Sequence, residues 1–225
     1  MTERQRPAPD RLDENEVLRL VRRGAATDTF RRLPAEKKAF IYRTALRLFG
    51  EFGYDGLAVD RFCREAGISK GSFFQYFPSK SHLLEFCVLL FDRSLGEWLA
   101  DIRRTDGGGL ARQRLLHLYR AAAVTSRLHP TEERFYLFVT RALNHAAVAL
   151  EGIDCERHFS DYVAEIIARG EQTGEIRRDF ESALTGRLVA LILGALVERA
   201  FAGRALPPRE AERCVISLLF DGLKA

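Results

Sequence analysis

"EAGISKGSFFQYFPSK", residues 65–80, holds two glycines, two lysines and four aromatic residues in sixteen positions. The residues before it have the apolar spacing of a short helix (Val59, Phe62, Cys63 and Ala66). Gly67 can adopt the left-handed conformation that ends a helix, and Ser69 can cap the helix that follows. The stretch therefore predicts two short helices joined by a glycine turn. In DNA-binding proteins, the second helix of such a unit enters the major groove.

The second predicted helix has two different faces. Base edges and phosphates would lie against its N-terminal face, which carries Ser69, Lys70, Ser72 and Gln75. Gly71 places no side chain there, so a DNA backbone can approach closely. Phe73 and Phe77, four residues apart, face the core. Ser79 is predicted to cap the next helix, whose positive N-terminus suits a phosphate together with Lys80.

Helical spacing of apolar residues continues along nearly the whole chain, and no segment alternates over the length of a strand. The sequence therefore predicts an all-α protein. Predicted helices cover about 35–53, 59–66, 79–104, 110–128, 131–149, 156–173, 181–203 and 208–223.

Composition and charge restrict the function. Residues 1–81 hold 16 Lys or Arg and 11 Asp or Glu, a net charge of +5, whereas the whole chain has +4. A basic excess confined to the N-terminal third is expected of a part that meets a polyanion. No apolar run has the length of a membrane span, and the first residues do not form a signal peptide, which predicts a cytoplasmic protein. The four cysteines (Cys63, Cys87, Cys155 and Cys214) lie far apart and are expected to be buried thiols.

The stretch "LFGEFGYDGLAVDRFCREAGISKGSFFQYFPSKSHLL" resembles the DNA-binding domain of the tetracycline-repressor (TetR/AcrR) family of bacterial transcription regulators, with a continuous match over about residues 35–84. The resemblance implies a homodimer without catalytic activity or cofactor, a palindromic operator and a small-molecule effector. It divides the chain into an N-terminal extension with a short helix (1–34), a helix-turn-helix domain (35–81) and an effector-binding and dimerisation domain (82–225).

The resemblance also assigns contacts. The second helix would touch DNA through Ser69, Lys70, Gly71, Ser72 and Gln75, and phosphates would meet Tyr76 and Lys80. Two positions depart from the family pattern: Ala58 replaces a capping hydroxyl residue, and Phe74 replaces a tyrosine that often contacts phosphate. Both contacts are expected to be missing.

The N-terminal extension contains "ENEVLRLVRRG" (14–24), a candidate amphipathic helix. It is either a segment that packs on the domain or frays, or an arm that brings Arg22, Arg23, Arg31 and Arg32 to the DNA. Under the arm hypothesis, deletion of residues 1–32 leaves a folded dimer that binds its operator more weakly.

In the C-terminal part, four aromatic residues on apolar stripes belong either to the core or to an effector pocket: Trp98, Tyr119, Phe135 and Phe138. The segment 183–203 is apolar on nearly all sides and includes Gly186 and Gly194, so it must be covered all round. We expect about 181–203 and 208–223 to form a four-helix dimer interface with a second copy.

Two short motifs could indicate an enzyme or a metal site, but neither has the sequence context that such a site needs. "GISKG" (67–71) matches the G-x-S-x-G nucleophile elbow, but that elbow follows a strand, whereas helical spacing precedes Ser69. "CERH" (155–158) lacks further ligands in register, so no metal site is predicted. The sequence indicates a ligand-responsive repressor. The alternative is a DNA-binding architectural or interaction protein of the same fold, whose C-terminal domain contacts a protein instead of a small molecule.

Overall fold

The computed structural model describes residues 12–144, 155–178 and 181–201. Within these ranges the secondary-structure elements are ten α-helices and no strand, which confirms the all-α prediction. The helices are α1 (Glu14–Arg23), α2 (Asp28–Arg31), α3 (Ala35–Gly56), α4 (Val59–Glu65), α5 (Lys70–Tyr76), α6 (Lys80–Thr105), α7 (Ala111–Leu128), α8 (Pro130–Asn144), α9 (Cys155–Gln172) and α10 (Ser182–Phe201). None of these helices is long and apolar enough to cross a membrane.

Most helix boundaries that fall on described residues agree with the sequence to within one or two residues, while the predicted ends at 149 and 203 lie outside the described residues. The exceptions are α2, which was not predicted, and α3, which includes a kink at Gly53 (φ 68°) where the helix was expected to stop. The predicted helix at 208–223 lies outside the described residues.

The chain divides into two compact units, residues 1–95 with 131–153 and residues 96–130 with 154–225. The first unit continues past the predicted domain boundary at residue 81 to Leu95 and also includes α8. Phe135 of α8 packs edge-on against Phe91 with ring centroids 5.3 Å apart. Phe138 stacks on Phe49 at 6.0 Å. These side chains form one end of the core of the first unit.

The other part of that core includes the N-terminal extension. Phe30 of α2 is fully buried, and its ring centroid lies 4.9 Å from that of Phe77 and 5.0 Å from that of Phe86. The Nζ of buried Lys38 in α3 donates to the backbone oxygen of Arg31 at 3.0 Å and pairs with Glu14 of α1. Deletion of residues 1–32 would remove this core aromatic side chain, so we expect it to destabilise the first unit instead of leaving the fold intact.

In the second unit, α9 packs against α7 and α10. Gly186 of α10 lies against Ala164 of α9, so closely that a Cβ on the glycine would be 2.6 Å from the Cα of Ala164. The side chains of α9 that fill this core are Tyr162, Val163, Ile166 and Ile167. The absence of a side chain at Gly186 thus allows the two helix backbones to approach.

Candidate DNA-binding surface

The turn between α4 and α5 has the geometry that the sequence predicts. Gly67 has a φ of 62°, and the amide of Ile68 donates to the carbonyl of Cys63 at 3.0 Å. The Oγ of Ser69 accepts a hydrogen bond of 3.0 Å from the amide of Ser72 and caps α5. Ser69 is thus a helix cap that follows a helix and a turn, which is the wrong setting for a nucleophile elbow.

The two faces of α5 differ as predicted. Phe73 is fully buried, and so is Phe77 directly after the helix. Ser69, Lys70, Gly71 and Gln75 are exposed, and Ser72 is half-buried. Phe74 is 50% exposed, so the outer face of α5 also presents an apolar ring. A Cβ added at Gly71 would meet only the Oγ of Ser69, at 3.8 Å. The fold itself therefore does not require glycine at that position.

Lys70 is tied to α4 by an ion pair. Its Nζ lies 2.9 Å from the Oδ1 of Asp60, and both side chains are largely exposed. The hydrogen bond to Asp60 raises the pKa of Lys70, followed by the Coulombic attraction of the same carboxylate. A DNA phosphate that contacts Lys70 would compete with Asp60 for this cation.

Tyr76, an expected phosphate contact, is largely buried at the end of α5. Its ring meets Phe30 edge-on at 6.2 Å, and its backbone oxygen accepts from the amide of Thr27 at 3.0 Å. The hydroxyl of Thr27 donates to the backbone oxygen of Gln75 at 2.5 Å. Thr27 therefore satisfies two carbonyls at the C-terminus of α5, a contact that sequence reasoning missed. Thr27 also caps α2, and Thr-Asp at 27–28 is the only local signal of this arrangement.

Lys80, the second expected phosphate contact, also supports the fold. Its Nζ donates to the backbone oxygens of Tyr54 at 2.7 Å and Leu57 at 3.1 Å, and lies 4.3 Å from the centroid of the Tyr54 ring. An ammonium has three N–H groups, so one is left for a phosphate. Ser79 caps α6 as predicted, because its Oγ accepts from the amide of His82 at 3.4 Å.

The start of α4 lacks a side-chain cap, as expected from Ala58. The α3–α4 pair is held instead by Arg47, which bonds Glu51 at 3.2 Å and also pairs with Glu65. The hydrogen bond from Arg47 lowers the pKa of Glu65. Phe52, predicted on the buried stripe, is exposed and lies under the guanidinium of Arg61, with 4.2 Å between the guanidinium carbon and the ring centroid.

The four arginines of the proposed arm lie on ordered helices or beside them. Arg23 pairs with Glu85 at 3.0 Å, and Arg31 pairs with Asp28 at 2.8 Å. Arg22 and Arg32 are exposed. The structure therefore supports the packing interpretation of the extension, and Arg22 and Arg32 are its best candidates for a contact with DNA.

The four aromatic candidates for an effector pocket are divided between the units. Phe135 and Phe138 contribute to the core of the first unit. Trp98 and Tyr119 are buried in the second unit, where Trp98 packs on Phe159 with centroids 5.8 Å apart.

The two cysteines whose side chains the structure describes are not part of a metal site. Cys63 and Cys87 are buried free thiols, and burial raises the pKa of both. The side chain of Cys155 and the whole of Cys214 lie outside the described residues. Among the residues that the structure describes, no three His, Cys, Asp or Glu side chains are grouped as metal ligands.

Comparisons with known proteins agree with this geometry. Residues 41–87 match the model of the tetR family of bacterial regulatory proteins. The chain is 32% identical over 149 residues to the HTH-type transcriptional regulator RutR of Escherichia coli O157:H7. This alignment covers 65% of this chain and 66% of RutR. It is also 49% identical over 49 residues to the uncharacterized HTH-type transcriptional regulator YuxN of Bacillus subtilis. That alignment covers 22% of this chain and 17% of YuxN. Both relatives are thus matched over less than two-thirds of their own length.

A solved structure extends the likeness to most of the fold. The crystal structure of a TetR family transcriptional regulator from Chloroflexus aurantiacus superposes with a TM-score of 0.66 and covers 89% of this chain and 99% of that chain. At 19% sequence identity, this similarity concerns the fold alone.

Proposed function

Since residues 41–87 place this chain in the TetR family of bacterial transcription regulators, we propose that it is a cytoplasmic repressor that binds a palindromic operator as a homodimer and is released by a small, largely apolar effector. The observation that supports this proposal best is the capped helix α5, whose buried face carries Phe73 and whose open outer face is polar except for the ring of Phe74. It acts by binding and performs no catalysis.

In this proposal, each exposed side chain of α5 has a role set by its chemistry. The amide of Gln75 can make a bidentate contact with an adenine edge. Ser69, Lys70 and Ser72 contact phosphates, and Gly71 admits the DNA backbone. Tyr76 and Lys80 position α5 and the segment before α4, while the remaining N–H of Lys80 contacts a phosphate. In a dimer, the two copies of α5 would lie about 34–36 Å apart, or a multiple of that distance, to reach successive major grooves.

The decisive experiment measures binding of the purified chain to a randomised operator library. Gln75→Ala is expected to change the preference at one position of each half-site by about 1–3 kcal/mol. Lys80→Ala is expected to weaken all sequences alike and to reduce the salt slope by about one, along with a loss of stability. Gln172→Ala, an exposed glutamine in the second unit, serves as the control. Absence of any sequence preference in the wild type would refute the proposal.

The dimer proposal rests on α10. Leu184, Leu188, Leu191 and Ile192 are each between 45% and 58% exposed. Their spacing places them on one side of the helix. An exposed apolar row of this kind is typical of a surface that binds a partner. We assign this row to contact with a second copy, to which 208–223, outside the described residues, would contribute.

Effector release is proposed to act through α6. This helix runs without interruption from Lys80 to Thr105 and passes through Trp98. A ligand that binds one conformation more tightly shifts the population toward it, and a coupling of ~1–3 kcal/mol reduces operator affinity by about 5–150-fold. The test titrates an apolar compound, found by thermal shift, into the protein–operator complex. A stoichiometric ligand of the second unit that leaves operator affinity unchanged would contradict the coupling.

The alternative function, a DNA-binding protein whose second unit contacts another protein, has one observation in its favour. Trp98 and Tyr119 are already buried in the core of that unit, as in a filled core without a ligand. A pull-down with the purified chain that yields a stoichiometric protein partner, together with no ligand in the thermal-shift screen, would favour it.

A further inference from the structure

The second unit contains a cavity of about 350 Å³ between the start of α7 and the end of α9. Leu110, Ala111 and Ile166 form apolar parts of its wall, and Arg114, Arg169 and Glu175 form polar parts. None of the four aromatic residues considered for the effector pocket lines it. Its volume falls within the range of small-molecule sites.

Gly108 and Gly109, in the triple glycine between α6 and α7, form one wall of this cavity. Gly108 has a φ of 64°, and a Cβ at this position would lie 3.7 Å from a guanidinium nitrogen of Arg169. That distance is an ordinary van der Waals contact, so the positive φ of Gly108, and not a lack of room, favours glycine in this wall.

Arg114 carries an unused hydrogen-bonding group. Its side chain is only 4% exposed, its Nε donates to Asp106 at 2.7 Å, and its Nη2 donates to Glu165 at 3.2 Å. Its Nη1 is buried and has no hydrogen-bond partner. A buried charged donor without an acceptor is costly, and proteins rarely retain one without a reason.

The carboxylates near this cavity are already engaged. Asp106 accepts from the hydroxyl of Tyr162 at 2.5 Å and from the amide of Gly108 at 2.9 Å, in addition to Arg114. Burial alone would raise the pKa of Asp106, but these hydrogen bonds outweigh it and hold that pKa below its usual value. Glu175 caps α7 by accepting from the amides of Ala111 at 2.6 Å and Arg112 at 3.1 Å. Besides Gln113 and Thr173, the polar side chains of the wall that remain are the guanidinium groups of Arg114 and Arg169.

We propose that this cavity binds a small carboxylate with an apolar body. The carboxylate accepts from the exposed guanidinium of Arg169 and, after a shift of the wall that opens the buried Nη1 of Arg114 to the cavity, from that group as well, since a guanidinium suits planar anions. The apolar body packs on Leu110 and Ile166. The site lies within the second unit and does not depend on operator binding, so it is tested separately from the proposed function.

The test uses the full chain and benzoate as the probe, with benzamide as its neutral isostere and inorganic phosphate as an anion without an apolar body. Isothermal titration and saturation-transfer NMR should show one benzoate per chain, at least tenfold tighter (about 1.4 kcal/mol) than benzamide or phosphate. Equal binding of benzamide, tighter binding of phosphate, or no binding of benzoate would each overturn the proposal.

Three variants locate the site. Arg114→Lys keeps a cation beside Asp106 but removes the Nη1 group, and Arg169→Gln changes only an exposed side chain. Each is expected to weaken benzoate by about tenfold or more, since a charge-assisted hydrogen bond is lost. Arg157→Gln, on the exposed side of the same helix and paired with Asp161, should bind as the wild type does. If Arg114→Lys fails to fold, Arg169→Gln still decides, and wild-type affinity in that variant would refute the assignment.

Discussion

Helices α5 and α10 each present a face that the described residues of the chain leave uncovered, yet the two faces differ in chemistry. The open face of α5 carries hydroxyls, an amide and a lysine around Gly71, with Phe74 at its edge. The open face of α10 carries four aliphatic side chains and the exposed Gly194. A polar face loses little by remaining in water, whereas an apolar row gains free energy when it is covered. Exposure alone therefore does not identify a partner, but the chemistry of the exposed groups separates a polyanion from a second copy.

The glycines sharpen this comparison, because each helix region has one glycine that the subunit requires and one that it does not. Gly67 needs its positive φ, and Gly186 needs room for α9. Among the described residues, a Cβ at Gly71 would meet only the Oγ of Ser69, and a Cβ at Gly194 would meet nothing within 4 Å. Substitutions at the second pair should therefore leave the subunit intact and affect only its partners.

The largest effect is expected for Gly194→Arg. Because no described residue lies within 4 Å of an added Cβ, we expect the subunit to fold normally, while an arginine buried in the dimer interface costs about 3–5 kcal/mol. Sedimentation equilibrium should show a dimer for the wild type and a monomer for the variant, with operator binding reduced accordingly. Val124→Arg, which adds the same charge at an exposed residue of α7, is the control. A variant that remains dimeric would remove this face of α10 from the interface.

Gly186→Ala should act within the subunit instead. A new Cβ would lie 2.6 Å from the Cα of Ala164. Overpacking of this kind typically lowers the free energy of unfolding by about 1–3 kcal/mol. Gly194→Ala, on the same helix, is the matched control and should not lower the free energy of unfolding. Urea denaturation monitored by circular dichroism measures both. Equal stabilities would show that α9 and α10 adjust to the methyl group.

A smaller effect is expected at the α4–α5 turn. Gly67→Ala places an alanine at a φ of 62°, which costs about 1–2 kcal/mol of unfolding free energy. Gly71→Ala should fold at least as stably as the wild type, since alanine favours helix, but should bind its operator more weakly because the methyl group meets the DNA. Thermal unfolding and fluorescence anisotropy separate the two quantities. Wild-type operator affinity in Gly71→Ala would show that DNA does not approach there.

The difference between these regions also explains what sequence reasoning achieved. The turn at Gly67 and the cap at Ser69 were predicted because the groups that decide them lie within a few residues of each other. Thr27, which binds the backbone of Gln75, and Lys80, which binds the carbonyls of Tyr54 and Leu57, act across 23 to 48 residues of sequence. Local sequence patterns do not predict contacts between residues so far apart in the chain.

The same limit applied to larger elements. The periodicity of α8 predicted a helix, but periodicity does not say which unit the helix joins, and Phe135 and Phe138 proved to pack with Phe91 and Phe49. The cavity beside Arg114 was not predicted either, since it depends on the approach of α7 and α9. Helices, turns and caps could thus be predicted from the sequence, whereas the contacts between segments distant in the chain could not.

The smallest expected effect concerns the charge on the open face of α5. Asp60 holds Lys70 at 2.9 Å and raises its pKa, yet both side chains are exposed. Asp60→Asn should therefore leave stability unchanged, because exposed ion pairs contribute little. It should strengthen operator binding a few-fold, since it releases Lys70 to a phosphate and removes a negative charge, and it should increase the magnitude of the salt slope by about one. Asp101→Asn, which removes the Arg104 pair in the second unit, should change neither quantity. Operator binding that weakens in Asp60→Asn would mean that Asp60 positions Lys70 for DNA and does not compete with it.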